Sequence, residues 1–401
     1  MRQDTTVSEP RLMDERRLSA ARSLFPHTQT GRVYLNHAAT SPMSTRVVEA
    51  IRRNLDERST GTIDTFVADM KVVAACREAV ARLIHAESPD RIAFVGSTSE
   101  GLNIVSSGLS WKSGDRILLN DQEFPANVHP YYHLRRLGVE IDIMQTRGGA
   151  VTPEAVEAAL TPRTRVVGLS AVQFLTGYRA NLAAIGQLCR QRRNWFVVDG
   201  IQAVGAVRVD VQAMQIDALA AGAQKWLMAP LGTGFLYLSE ELQRAIQQQH
   251  VGWLSVADPW QFFNYDQPLA DSAKRYEVGT LNMSGLIGMH TAITTLIEVG
   301  DADIESHILA LTRRLIDGLH TLSGLNLVSP ESDQNRAGIV TVESRTGEDL
   351  APVFRVLDRD RVSISLRDGK LRFSPHFYND PADISAALDS LRAALQQSNL
   401  S

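Results

Sequence analysis

The chain reads as an α/β protein, with a large domain on a mainly parallel sheet followed by a smaller α+β domain. Three observations point there. Short β-rich runs alternate with amphipathic stretches of helical spacing, as in βα units. The runs are nearly continuous in apolar residues, as expected of a parallel sheet covered on both faces. Beyond "GTLNMSG" the alternation stops. A length of 401 residues favours two subdomains over one core. The expected division is an N-terminal segment 1–30, a large α/β domain 31–280 and a small α+β domain 281–401.

The strands are expected at "RIAFVG" (91–96), "RILLND" (116–121), "VEIDIMQ" (139–145), "RVVGLSAV" (165–172), "WFVVDG" (195–200) and "GFLYLS" (234–239). Stretches such as "PEAVEAAL" and "NLAAIGQLCRQRR" supply the intervening helices. In the C-terminal part a long helical stretch covers roughly 285–325. "AGIVTVES" and "RVSISLRDGKLRFSPHFYN" follow, and then a last helix, "PADISAALDSLRAALQQ".

Composition narrows the function classes. Hydrophobic residues make up 44% of the chain, charged residues 21%, and the formal net charge is −4. Such a balance carries no electrostatic footprint for nucleic acid or for an anionic membrane surface. No apolar run reaches the ~18 residues of a membrane span. The charged N-terminus lacks the apolar core of a secretory signal, so a cytoplasmic location is expected. The two cysteines, Cys76 and Cys189, sit in helical patterns and read as buried thiols. His129 and His133 are spaced i, i+4, but no third ligand accompanies them, and no metal is expected.

Ligands of open parallel sheets bind at the carboxyl ends of the strands. After "RIAFVG", Ser97, Thr98 and Ser99 open a helix whose N–H groups suit phosphate, although Ser97 with Glu100 also reads as a plain N-cap. Phe124 follows the next strand, either as a plate over a flat ligand or as a core aromatic. Asp199 ends an apolar strand, where a carboxylate needs a partner. It pairs with a cationic ligand atom or caps the segment "IQAVG", with Gln202 alongside. Lys225 stands among apolar and small residues, where an amine loses basicity and becomes a nucleophile toward aldehydes. Gly232 and Gly234 follow, allowing close backbone approach to a bulky ligand. A phosphate cup, an aromatic plate, a carboxylate, a glutamine and a desolvated lysine together fit pyridoxal 5′-phosphate, with Lys225 as the Schiff-base lysine and Asp199 on the ring nitrogen.

At these residues the chain resembles the class V aminotransferase group of fold-type I PLP enzymes, which includes cysteine desulfurases, isopenicillin-N epimerase-like proteins and kynureninases. The likeness runs from "VYLNHAATSPMSTRVVEAI" to "LRFSPHFYN". Its anchors are "STSEGLN", "EFPAN", "QFLTGYR", "VVDGIQAVG", "AQKWLMAPLGTGFLY", "YEVGTLN" and "RFSPHFYN". The resemblance implies a seven-stranded, aspartate aminotransferase-like large domain. It places Lys225 and Asp199 in catalysis. It puts Ser97, Thr98, Ser99, Phe124, Gln173, Gln202 and Gln224 around the cofactor, with Gln202 on the ring hydroxyl. Trp253 and Thr280 are implied to reach the neighbouring subunit's cofactor, hence a homodimer with shared active sites. Arg372 is implied to clamp the substrate carboxylate. Asn36, His37 and Arg179 are further substrate-binding candidates, with Tyr178 and His376 as possible lining.

Two departures stand out. Gln224 and Gly222 occupy positions where the group usually has histidine and serine, so the phosphate is expected to lean on Ser97, Thr98, Ser99 and the second subunit. The link in "SLRDGKLRFS" is too short for the loop that carries a desulfurase's catalytic cysteine. The expected activity is therefore that of a PLP enzyme acting on a small α-amino acid through a Cα carbanion, of transaminase, epimerase or β-lyase type. A cysteine desulfurase or selenocysteine lyase-like C–S lyase is one alternative, and a non-catalytic PLP-binding regulator is another. Dehydrogenase and serine-hydrolase motifs are absent.

Overall fold

A computed structural model describes residues 9–398. The large sheet has seven strands. They are β1 (Ile92–Val95), β2 (Arg116–Asn120), β3 (Glu140–Met144), β4 (Thr164–Ser170), β5 (Trp195–Asp199), β6 (Ala218–Gly222) and β7 (Gly234–Leu238). Their spatial order is β1-β7-β6-β5-β4-β2-β3. Neighbours pair in parallel except β7, which runs antiparallel to both β6 and β1. Alternate residues feed opposite faces, as the strand period requires. Phe196 and Val198 enter one core with the helices Phe66–Leu83 and Met283–Val299. Val197 enters the other with the helix Thr98–Gly108.

Six of the strands coincide with the apolar runs of the sequence; β6 does not. "ALAAG" lacks the β-branched and aromatic residues that mark a strand. Its small side chains admit the helix Thr98–Gly108 at close range: a Cβ added at Gly101 would stand 2.9 Å from the Ala220 Cβ. That approach brings the helix start to the carboxyl end of β6, where the Gly222 N–H donates to Thr98 Oγ1 at 2.8 Å.

The glycines after Lys225 serve the sheet rather than a ligand. Gly232 turns the chain with φ at 73°. Gly234 pairs with Gly222, and a Cβ there would lie 2.7 Å from the Ala221 carbonyl oxygen.

A second core lies in the C-terminal part. Strands β8 (Leu325–Leu327), β9 (Val340–Ser344), β10 (Ser365–Arg367) and β11 (Lys370–Phe373) form an antiparallel sheet in the order β10-β11-β9-β8. The helices Asp301–Leu319, Ala351–Arg359 and Pro381–Gln397 cover it. The long helical stretch is thus two helices, broken at Gly300 with φ at 95°. Leu35 packs into this second core, and Val33–Tyr34 pairs in parallel with Val362–Ser363. Asn36 and His37 therefore arrive at the junction of the two cores.

One buried ion pair fixes the sheet's outer edge. Arg77 and Glu277 meet at 2.6 Å, both nearly inaccessible. Glu277 also accepts the Phe94 N–H of β1 at 2.8 Å, and Arg77 donates to the Ile92 carbonyl at 2.6 Å. Glu277 so satisfies a backbone group that the edge strand leaves unpaired, and it anchors the segment leading to Thr280. Glu277→Ala leaves Arg77 buried without a counter-charge. The expected loss is about 3–5 kcal/mol in denaturant unfolding, and the Arg77→Met/Glu277→Leu double variant should recover most of it.

Candidate active site

The carboxyl ends of β4, β5 and β6 converge on one place. Asp199 is the last residue of β5 and is fully buried. One oxygen accepts the Ile201 N–H at 3.0 Å. Burial pushes its pKa up, and the Glu123 carboxylate adds to that, while the Ile201 hydrogen bond and the Lys225 charge oppose it. Lys225 lies three residues beyond β6. Its ammonium is disfavoured by burial, favoured by Asp199, and disfavoured again by Arg372 and Arg367. Its Nζ stands 5.6 Å from the centre of the Phe124 ring. Phe124 is 42% exposed and meets Phe174 edge-on. A core role for Phe124 is thereby set aside: one ring face is open toward the lysine.

Ser97 caps the helix Thr98–Gly108 by accepting the Glu100 N–H, and Glu100 in turn accepts the Gly96 N–H at 2.7 Å. The plain-cap reading thus holds for Ser97. The N–H groups of Thr98 and Ser99 begin the helix and have no partner within it, so the anion site remains open beside them. The two departures from the family pattern fit one another. A Cβ at Gly222 would fall 2.6 Å from Gln224 Oε1, so the glutamine side chain lies where a residue-222 side chain would stand.

Gln202 is buried and oriented from two sides. Its Oε1 accepts the Trp226 indole N–H at 2.8 Å, and its Nε2 donates to the Ala38 carbonyl at 3.0 Å. One amide hydrogen is left over. Gln173 is 1% exposed and donates from Nε2 to Glu123 at 3.2 Å. Its Oε1 is buried and has no partner among the described residues.

Glu123 is the organiser that sequence reasoning missed. It also accepts from Asn120, from Asn127 at 2.9 Å, and from both the N–H and hydroxyl of Ser170. A carboxylate just past the end of β2 was its one visible signal. In "EFPAN" the aromatic Phe124, not the carboxylate, is the residue with a visible pattern.

At the C-terminal side stands Arg372, on β11 and 2% exposed. It donates to the Phe174 carbonyl at 2.6 Å and to Ser365 Oγ at 3.5 Å, while its Nε is buried without a partner. Among the described residues no carboxylate lies within salt-bridge reach of it. Burial, then the Arg367 charge, brings its pKa down to about 10. The Ser365 hydroxyl donates to Asn36 Oδ1, which ties Asn36 to this guanidinium.

Two substrate candidates are corrected. His37 is fully buried, with Nδ1 against the Ser374 carbonyl at 2.7 Å and Nε2 against the Tyr378 hydroxyl at 2.9 Å. Both nitrogens are used, so it packs the junction of the two cores rather than facing a substrate. Arg179 is held by Glu305 at 2.5 Å, so its charge is already paired. Tyr178 accepts from Asn335 at 3.1 Å. His376 is buried and hydrogen-bonds the Trp226 carbonyl at 2.8 Å. Trp253 and Thr280 stand on the outside. Thr280 lines a hollow with Arg58, Asp64, Thr65 and Phe66, and the Trp253 indole nitrogen lies over Gly279.

No thiol joins this group. Cys76 and Cys189 are buried in their helices, and burial raises both thiols to about 12. The link between β10 and β11 is a two-residue turn, Asp368–Gly369, with φ at 49° and 71°. Among the described residues no cluster suits a metal ion.

The arrangement offers an amine of lowered basicity, a carboxylate beneath it, an aromatic face, a helix start for a phosphate and an unpaired guanidinium. The orphaned Gln173 oxygen and the free Gln202 N–H are polar atoms awaiting a ligand. Pyridoxal 5′-phosphate, a flat cationic ring with an aldehyde and a phosphate, fits that donor set.

The sequence model of the Aminotransferase class-V family matches residues 33–386. A probable cysteine desulfurase of Methanothermobacter thermautotrophicus is 28% identical over 382 residues, covering 90% of this chain and 94% of its own length. An uncharacterized aminotransferase of Bacillus subtilis is 26% identical, covering 93% and 96%. Among solved structures, the apo cysteine desulfurase of Thermococcus onnurineus NA1 superposes with a TM-score of 0.86 at 24% identity, covering 94% and 98%. The cystine C–S lyase C-DES, in complex with its product cysteine persulfide, gives 0.84 at 24% identity, covering 92% and 99%. At such identity these two speak for the fold.

Proposed function

The chain belongs to the Aminotransferase class-V family, a family of PLP-dependent enzymes, and from that premise we propose that it acts at Cα of a free α-amino acid. The observation that carries the substrate class is Arg372, a buried guanidinium with an unpartnered Nε and no carboxylate partner among the described residues. A desolvated cation this close to the lysine is costly unless an anion joins it, and its planar fork matches a carboxylate.

When bound, the cofactor supplies an electron sink for a carbanion at Cα. This chain's residues do the rest. Thr98 and Ser99 at the helix start hold the phosphate. Phe124 covers one ring face. Asp199 keeps a proton on the ring nitrogen, and Gln202 donates to the phenolic oxygen. Lys225, desolvated and of lowered basicity, takes the Cα proton. Arg372, steadied by the Phe174 carbonyl and Ser365, holds the α-carboxylate and sets which bond of Cα faces the lysine.

Transamination, epimerisation and β-elimination all begin this way. A C–S lyase releasing a free sulfur product stays within this reading. A persulfide built on an enzyme cysteine finds no support, because the β10–β11 turn carries no thiol and both cysteines are buried. We further read the protein as a cytoplasmic homodimer in which Trp253 and Thr280 complete the partner's phosphate site, their exposure being the supporting observation.

The test is a panel of amino acids, including cysteine and cystine, followed for keto acid, pyruvate, alanine, sulfide and loss of optical rotation. Arg372→Leu should raise KM about 10–100-fold for the responding amino acid, the worth of a charged bidentate contact, with cofactor affinity unchanged. It should leave turnover of the matching decarboxylated amine unaltered. Equal effects on both would remove the carboxylate role.

A further inference from the structure

Trp226, next to the lysine, makes two polar contacts that bear on the site. It is completely buried. Its indole N–H donates to Gln202 Oε1 at 2.8 Å. Its carbonyl oxygen faces His376 Nε2 at 2.8 Å, while His376 Nδ1 accepts the Phe377 N–H at 2.7 Å. That acceptor role makes Nε2 the protonated nitrogen, so the histidine donates to the Trp226 carbonyl. Burial brings His376 down to about 4, keeping it in this neutral form.

Glycines make the space. A Cβ at Gly338 would fall 2.2 Å from the indole Cη2, and one at Gly205 would fall 2.5 Å from the Trp226 carbonyl oxygen. Gly205 also holds a φ of 97°, closed to other residues without strain. The side chain therefore has one place to be, fixed by both the large sheet's loops and the C-terminal part.

We propose that Trp226 is a positioning residue that sets which atom of the Gln202 amide faces the cofactor. Oε1 is occupied by the indole, and one Nε2 hydrogen by the Ala38 carbonyl. The atom left for the cofactor's phenolic oxygen is the second Nε2 hydrogen, a donor. A donor there stabilises the phenolate and lowers the pH at which the bound chromophore releases its proton. Without the indole N–H, Oε1 is a buried acceptor with no partner, and the amide leaves this orientation to find one. Through the carbonyl–His376 contact, the same residue ties the lysine segment to "RFSPHFYN". The proposal rests on the reading that Gln202 faces the cofactor.

The experiment is a pH titration of the visible absorption of the PLP-loaded protein, beside a PLP titration of the stripped protein by fluorescence. The variants are Trp226→Phe, Gln202→Leu and their double. A fourth protein carries benzothienylalanine at 226, which keeps the indole shape and replaces the N–H by sulfur. The chromophore midpoint should rise by about half a unit to one unit in each single variant. PLP affinity should fall about tenfold, and the double variant should shift no further than Gln202→Leu alone. An unchanged midpoint in the benzothienylalanine protein, with Gln202→Leu shifted, would overturn the role of Trp226. An unchanged midpoint in Gln202→Leu would instead overturn the reading of Gln202, and a wild-type chain that PLP cannot colour would remove both.

Discussion

Lys225→Ala should remain folded, bind PLP non-covalently and lose activity by at least about three orders of magnitude. The size follows from two functions lost together, the covalent anchor of the cofactor and the base at Cα. Folding should survive because the amine makes no hydrogen bond among the described residues; burial works against its charge, and its removal lifts that penalty. The cofactor should stay because the helix start at Thr98–Ser99, the Phe124 ring and Asp199 remain. The discriminating measurement is borohydride reduction followed by mass analysis of the intact chain. Wild type should carry the cofactor covalently on Lys225, and the variant should carry none. A small primary amine in the buffer should restore part of the rate by replacing the missing nitrogen. Covalent cofactor in the variant, on another lysine, would end the assignment.

Six of the seven sheet strands, the carboxylate that ends one of them and the lysine ahead of a glycine turn were legible because each rests on a local pattern. An apolar run ending in a carboxylate and a lone cation before a glycine turn are visible at a glance. What was hidden depends on contacts across the chain. Strand β6 escaped because alanines chosen for helix approach look like no strand. Glu123 escaped because its value lies in donors from Asn120, Asn127, Ser170 and Gln173, which only the fold assembles. His37 and Arg179 were polar residues near anchor motifs, and the structure gives each a protein partner. The Gly222 and Gln224 departures looked like two losses at the phosphate end. The geometry makes them one exchange, the glutamine filling the volume that a side chain at 222 would need.

Asp199→Asn should abolish most of the activity while making the cofactor-free protein more stable at alkaline pH. The catalytic loss follows because a neutral amide cannot hold the proton on the ring nitrogen, and the ring then withdraws electrons poorly; a fall of about 10²–10⁴ is the range for a positioned proton-transfer partner. The stability gain has the opposite origin. In the empty protein, burial and then the neighbouring Glu123 charge raise the Asp199 pKa, against the pull of Ile201 and Lys225. A carboxyl whose folded pKa exceeds its unfolded one retains a proton that unfolding would release. Its contribution is full below the ordinary carboxylate range, near ~4, and is lost as pH rises through the folded value. The wild-type apoprotein should therefore lose stability relative to Asp199→Asn between about pH 4 and neutrality. Above that the gap should stay constant until Lys225, lowered by its own burial, completes its titration. Loading with PLP should close or reverse the gap in wild type, where a cationic ring nitrogen would pair the carboxylate, and should do far less for the variant. Thermal unfolding of both proteins across pH, with and without PLP, reads all of this in one matrix. Parallel pH curves for the two apoproteins would show that Asp199 is not the buried, strained carboxylate on which the site depends.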